Sequence, residues 1–217
     1  MSYKSNENII CPHCHASQKG AMWSIVTASE SKGMKNKIIN GTAFTRKCKE
    51  CGASFALFYP MLYDDDINNV LIYYTPTIIG ELEADEAISA RRAEACNDPY
   101  KIRIVTNADH LREKARIFDI GLDDRIVEII KIVVLEQLAK KKFAGKVKDV
   151  LCWVNGDRSL EMTFFGDKSG TMTVDYPFYQ YVDSKCKLIL NAICDNANNV
   201  DLNWAIEFLD KHNFTLN

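Results

Sequence analysis

The sequence predicts an α+β fold in which an N-terminal segment organised by cysteines is joined to a mixed α/β body with a long central helix and a C-terminal β-hairpin layer. Three observations predict it. Two Cys-x-x-Cys pairs, Cys11 with Cys14 and Cys48 with Cys51, punctuate the first 60 residues. Short runs rich in β-branched and aromatic residues, bounded by Gly, Pro and Asp, recur in blocks rather than alternating strictly with helices. Residues 123–143 are apolar on most sides of a helical wheel, the pattern of a helix covered nearly all round. With 217 residues, 47% of them hydrophobic, the chain can bury a substantial core. Residues 1–60 are assigned to the cysteine-bearing domain and 61–217 to the body, of which 147–217 form the C-terminal layer.

Between the cysteine pairs, residues 21–27 (AMWSIVT) read as a strand, 34–39 as a short helix closed by Gly41, and 42–47 as the strand entering the second pair. The chain leaves that pair through 53–59. Tyr59 and Pro60 form a bend, Asp64, Asp65 and Asp66 a hydrated turn, and 70–74 (VLIYY) an apolar strand stopped at Pro76. Residues 80–95, rich in Ala and charge, read as a surface helix ended by Pro99. Residues 101–106 (KIRIVT) alternate as a strand, and Thr106 or Asn107 caps a helix that ends with Gly121 in the C′ position. In the helix from Asp123 to about 143, Asp124, Glu128 and Lys131 fall on one narrow strip, its expected wet edge. Residues 147–154 form a strand, and 160–165 pairs with 171–176 across a GDKSG turn. Pro177 opens a helix in which Phe178, Tyr181, Val182, Cys186, Ile189 and Ile193 keep three- and four-residue spacing. A short terminal helix carries Trp204 and Phe208.

The cysteine pairs carry the chemistry. Two residues between thiolates let a tight turn aim both sulfurs at one point. Two such turns complete a tetrahedron of soft ligands, which selects Zn2+, with iron next in line, over hard Mg2+ or Ca2+. Cys11, Cys14, Cys48 and Cys51 are therefore the expected ligands of a structural Zn2+ ion in a zinc ribbon, a redox dithiol being the other reading of such pairs. The 33 residues between the inner cysteines make a long loop, but closure entropy grows slowly with length. Four thiolates close the coordination sphere and leave no position for a substrate or an activated water. Gly52 suits the φ > 0 position after the second pair, and His15 holds the equivalent place at a higher conformational cost. His13 and His15 are expected to face solvent rather than to replace a thiolate.

The strings CPHC, CKECG, FYPMLYDDD and RIVTNADHLREKARIFDIGLDDRIVEIIK occur in this order between about residues 9 and 135. Together they resemble the CpXC domain family, a prokaryotic group named for its Cys-Pro-x-Cys knuckle. The resemblance implies metal ligation by Cys11, Cys14, Cys48 and Cys51 and assigns no other residue a role. The sequence departs from the family at His15, where the family tends to have Gly, and at Asp64. Residues after about 145 carry no recognisable motif.

Charge and composition narrow the function. The net charge of −2 gives no global drive toward nucleic acid or membrane, but residues 1–58 hold eight Lys or Arg against three acids, and 59–128 hold eight against fifteen. Basic residues Lys35, Lys37, Arg46, Lys47 and Lys49 beside Trp23, Phe44, Phe55 and Phe58 could grip a phosphate backbone. The favoured reading makes those aromatics the ribbon's small core and the lysines its solvated face or a docking contact with the acidic middle segment. The sequence has no GxSxG, HExxH, phosphate-cradling loop or GxGxxG, and His110 and His212 stand alone. The most apolar stretch, 126–138, is too short to span a bilayer and carries Glu128, Lys131 and Glu136. Eight Cys fall well below the density of a disulfide scaffold, and no apolar signal run precedes the first cysteines, so a cytoplasmic location with Cys96, Cys152, Cys186 and Cys194 reduced is expected. The expected function is a zinc-binding, non-enzymatic protein-interaction or regulatory module whose partner is another protein, with no membrane partner. Nucleic-acid binding through the five basic residues is the alternative. A monomer is expected, with a homodimer through the 123–143 helix as its alternative.

Overall fold

The computed structural model describes residues 1–76, 100–140, 145–192 and 198–213. The helix expected at 80–95 lies outside the described residues, as do Cys96, Pro99, Phe143, Ile193 and Cys194. The chain divides into two compact units, Met1–Arg112 and Glu113–Asn217. Among the described residues no helix is long and apolar enough to cross a membrane.

In the first unit β1 (Tyr3–Ile10) and β2 (Ser17–Thr27) form an antiparallel hairpin. β2 runs parallel to β5 (Met61–Asp65), β5 antiparallel to β6 (Val70–Tyr74), and β6 parallel to β7 (Lys101–Val105). The strands make one mixed sheet in the order β1-β2-β5-β6-β7. A parallel pairing needs a crossover, and the one between β2 and β5 carries α1 (Lys32–Ile39) and a small hairpin of β3 (Thr45–Lys47) and β4 (Ser54–Ala56). The strands flanking the cysteines thus continue into β5, β6 and β7, past the expected boundary at residue 60. α1 stops where Gly41, at φ +73°, turns the chain. Its N–H donates to the Ile38 carbonyl, and the Thr42 N–H to that of Lys37, satisfying the last carbonyls of the helix. Phe44 ties the small hairpin to the sheet, its ring 5.3 Å from Tyr59 and 4.9 Å from Tyr74.

Two findings here differ from the sequence reading. β1 was not expected, because YKSNENII has no alternation, and its one buried side chain is Ile9. The ladder to β2, rather than an apolar face, makes it a strand. The three consecutive aspartates do not form a hydrated turn. Asp64 and Asp65 lie in β5 and are buried, and the turn begins only at Asp66. Asp65 accepts hydrogen bonds from the backbone and side-chain amides of Asn68 and pairs with Lys35 at 3.9 Å, while Asp66 accepts from the backbone N–H and the hydroxyl of Ser29. Burial of the Asp65 carboxylate is tolerable because polar groups converge on it.

The second unit begins within α2 (Ala108–Asp119), capped by Asn107, whose side chain accepts from the Asp109 N–H at 2.8 Å. Gly121, at φ +74°, closes this helix with the same bond pair as Gly41: Gly121 N–H to Phe118 and Leu122 N–H to Ile117. α3 (Asp124–Lys140) follows, then the antiparallel sheet of β8 (Val147–Val154), β9 (Leu160–Gly166) and β10 (Gly170–Val174), and finally α4 (Tyr176–Ala192) and α5 (Leu202–Lys211). Asp175 accepts from Phe178 N–H and Asp201 from Trp204 N–H, so both final helices start on an aspartate cap. Ile126, Val127, Ile129 and Ile130 are wholly buried in a core shared with Val150, Leu160 and Met162 of the sheet and Val182 and Phe208 of the last two helices. Cys152 and Cys186 are buried free thiols in this core.

The expected wet edge of α3 does not exist. Asp124, Glu128 and Lys131 are as buried as the isoleucines beside them, and solvent reaches the helix in part at Val133 and Leu135 and more fully from Glu136 onward. Their strip faces Glu113 and Lys114 of α2, with which they form ion pairs. The wheel separates charged from apolar positions correctly, but it cannot tell water from a partner of opposite charge. Truncation of Ile130 to Ala is expected to cost about 2–5 kcal/mol by leaving a cavity, whereas Glu136→Ala should stay within about 0.5 kcal/mol. Urea unfolding followed by tryptophan fluorescence measures both, and equal losses would contradict this account of the core.

Candidate metal centre

The two cysteine loops have the same construction. Cys11 directly follows β1 and Ala16 precedes β2, with Ile10 paired to Ser17; Cys48 directly follows β3 and Ala53 precedes β4, with Lys47 paired to Ser54. In each six-residue loop the first Cys N–H donates to the alanine carbonyl, at 3.0 and 2.8 Å. Its carbonyl in turn accepts the N–H of the residue after the second Cys, His15 at 2.9 Å and Gly52 at 3.1 Å. That residue must be left-handed to close the loop: His15 has φ +60° and Gly52 φ +71°. His13 and His15 both face solvent, as expected.

All four sulfurs lie within 4.8 Å of one another. Cys11 Sγ is 3.8 Å from Cys51 Sγ, and Cys14 Sγ is 3.6 Å from Cys48 Sγ. A tetrahedral ion with metal–sulfur bonds of about 2.3 Å has a sulfur–sulfur edge of about 3.8 Å, so the donor set fits a metal ion in both chemistry and spacing. Cys11 and Cys48 are buried, while Cys14 and Cys51 are exposed. The thiols are unequal. Cys48 is lowered to about 7, foremost by the Cys51 backbone N–H and against the pull of burial. Cys14 rises to about 12: the Ala16 backbone N–H lowers it, and the thiols of Cys51, Cys48 and Cys11 together with burial outweigh that. Four sulfurs packed this closely ionise together only when a cation offsets their mutual repulsion.

Two residues without any motif hold the loops in register. The Gln18 side chain spans the second loop, its Nε2 donating to the Lys47 carbonyl at 3.2 Å and its Oε1 accepting the Lys49 N–H at 2.9 Å. The Arg46 guanidinium donates to the carbonyls of Ala43 and Thr45 in its own segment and to that of Ala21 on β2, and also reaches the Tyr59 hydroxyl. It clamps the small hairpin to the main sheet. Nothing in the sequence marks Gln18, since its partners are 29 and 31 residues away and are backbone atoms.

Of the five basic residues proposed for nucleic acid, Arg46 is therefore spent on carbonyls, and Lys35 is half-buried against Asp65. Lys37, Lys47 and Lys49 are exposed. Phe44 is buried as expected of a ribbon core, but Phe58 is 55% exposed. His212 ends α5 against the Phe208 ring, with no other titratable group drawn to it in the described hydrogen bonds.

A model of the CpXC protein family matches residues 9–131, more than half of the chain. The chain belongs to the CpXC protein family. No curated protein and no solved structure matches it. The CpXC match takes in both cysteine loops, the sheet of the first unit from the end of β1 onward, α2 and the first two turns of α3, ending at Lys131. It leaves β8, β9, β10, α4 and α5 outside, the part in which the sequence shows no motif.

Because a Cβ at Gly52 would meet nothing within 4 Å, Gly52→Ala isolates the cost of a left-handed residue. It is expected to weaken the second loop by about 1–2 kcal/mol. His15→Gly should strengthen the first by less than that, because glycine also loses more freedom on folding. Competition with a chromophoric chelator reads both, and a neutral Gly52→Ala would contradict the assigned loop geometry.

Proposed function

We propose that this CpXC protein is a zinc-binding, non-enzymatic protein-interaction or regulatory module of the cytoplasm. The observation that carries the reading is the four-sulfur cluster, whose tetrahedral spacing is complete without a further donor. Thiolates at such an edge length favour Zn2+, and a closed coordination sphere holds backbone rather than performing chemistry. The ion joins two hairpins from distant parts of the chain, so its free energy of binding is folding free energy for the first unit. Exposed Phe58 supports the interaction reading. It borders a cleft of about 420 Å3 in the first unit, lined by apolar Phe44, Ala56 and Leu111 and by polar Thr45, Asn107 and Asp109, a recess of the size that takes a partner's side chains.

Metal analysis of gently purified protein should give one zinc per chain, and replacement of all four cysteines by serine should abolish it and unfold the first unit. Tagged wild-type protein recovered from its native cells should bring a protein partner that Phe58→Asp loses while keeping its zinc. Recovery of nucleic acid instead, released with a steep salt dependence, would favour the alternative through Lys37, Lys47 and Lys49.

A further inference from the structure

The cleft beside Phe58 brings aromatic rings and a carboxylate to one cavity. Phe44 and Phe58 both line it, their ring centroids 5.7 Å apart and their planes inclined at 51°. Phe44 is fixed among Tyr59 and Tyr74, while Phe58 is open to solvent. Polar lining comes from the segment that starts α2, Thr106, Asn107 and Asp109, and from Thr45 of β3. All of these residues belong to the first unit.

Among the described residues Asp109 is the one ionisable residue in the wall. It is exposed, and its backbone N–H donates to the Asn107 side chain at 2.8 Å. No hydrogen bond or ion pair engages its carboxylate among the described residues. Arg112, one turn along α2, stays out of the wall and donates from Nε to the Ile39 carbonyl at 3.1 Å.

This lining decides the chemistry of an occupant. The amides of a helix start favour negative charge, but Asp109 already supplies it there, and a second anion would be repelled. A wholly apolar side chain would suit the rings and take water from the carboxylate without replacing it, which costs free energy. An aliphatic stem with a cationic head satisfies both parts of the wall. The stem packs on Leu111 and the rings, and the head lies against a ring face within reach of the carboxylate. A volume of about 420 Å3 lies at the small end of ligand cavities, room for one or two side chains of a partner.

We propose that the cleft takes a cationic side chain, arginine in preference to lysine, presented by a basic segment of the partner protein. The proposal rests on the docking role given above to Phe58 and names the chemistry that this surface selects. Arginine is preferred because a planar guanidinium stacks on a ring while its N–H groups fork toward a carboxylate.

The test titrates the isotope-labelled 217-residue chain with N-acetyl-arginine amide and with its neutral isostere N-acetyl-citrulline amide, followed by NMR. The arginine probe should give saturable shifts confined to amides of the cleft wall, among them Thr45, Asn107 and Asp109. The citrulline probe should bind about fivefold more weakly. Asp109→Asn should weaken arginine binding by about two- to fivefold and leave citrulline unchanged. Phe58→Leu, which keeps apolar bulk and removes the ring, should weaken arginine by a similar factor. Both substitutions fall at exposed positions, and the comparison of the two probes on the wild-type chain depends on neither. Equal affinity for the two probes, shifts spread over other acidic residues, or no saturable shift overturns the proposal. Its failure is separable from that of the docking role. A protein partner lost with Phe58→Asp, from a chain that binds both probes equally, removes the cationic anchor alone, whereas a partner retained by Phe58→Asp removes the docking role itself.

Discussion

Four sulfurs that repel one another as thiolates must meet within a few ångströms, and much of the first unit is arranged to make them do so. Each pair sits at the end of a hairpin, where the strand ladder sets the direction in which the loop points. The loops themselves are interchangeable in construction, with the same length, the same two backbone bonds and the same left-handed residue. Their mutual placement is not local, and it falls to Gln18 and Arg46, which bond across from one hairpin to the other's backbone. Without a cation, one thiol ionises early and another holds its proton, so the arrangement suits a metal ion on electrostatic as well as geometric grounds.

The second unit meets a different constraint by a related device. Its central helix is buried on all sides over its first half, yet four of those positions, Asp124, Arg125, Glu128 and Lys131, are charged. An apolar strip would have been simpler to bury, since replacing buried ion pairs with hydrophobic residues is often neutral or stabilising. The ion pairs of the charged strip with Glu113 and Lys114 instead fix the pairing of α2 and α3, because each lysine is satisfied only when both of its acids are in place. Glu113 and Lys114 also bring β8 and the segment at Val200 to the same point through backbone groups. The CpXC match ends at Lys131, the last charged member of this network.

Local chemistry was readable in advance. The Gly41 and Gly121 helix ends, the Asn107 cap, the hairpin after residue 160 and the four-cysteine convergence each depend on residues close in sequence, or on a spacing that only one coordination geometry satisfies. Tertiary partners decided the rest. β1 is a strand because β2 pairs with it. Asp65 is buried because Asn68, Tyr63 and Lys35 reach it. The strip of Asp124, Glu128 and Lys131 is dry because Glu113 and Lys114 lie opposite. By itself the sequence determined where turns, caps and thiolate pairs fall, since those are set by backbone sterics and ligand chemistry over a few residues. Only the tertiary structure decided which charges face water and which face one another, because the free energy of a charge depends on its neighbours in space, and these come from distant parts of the chain.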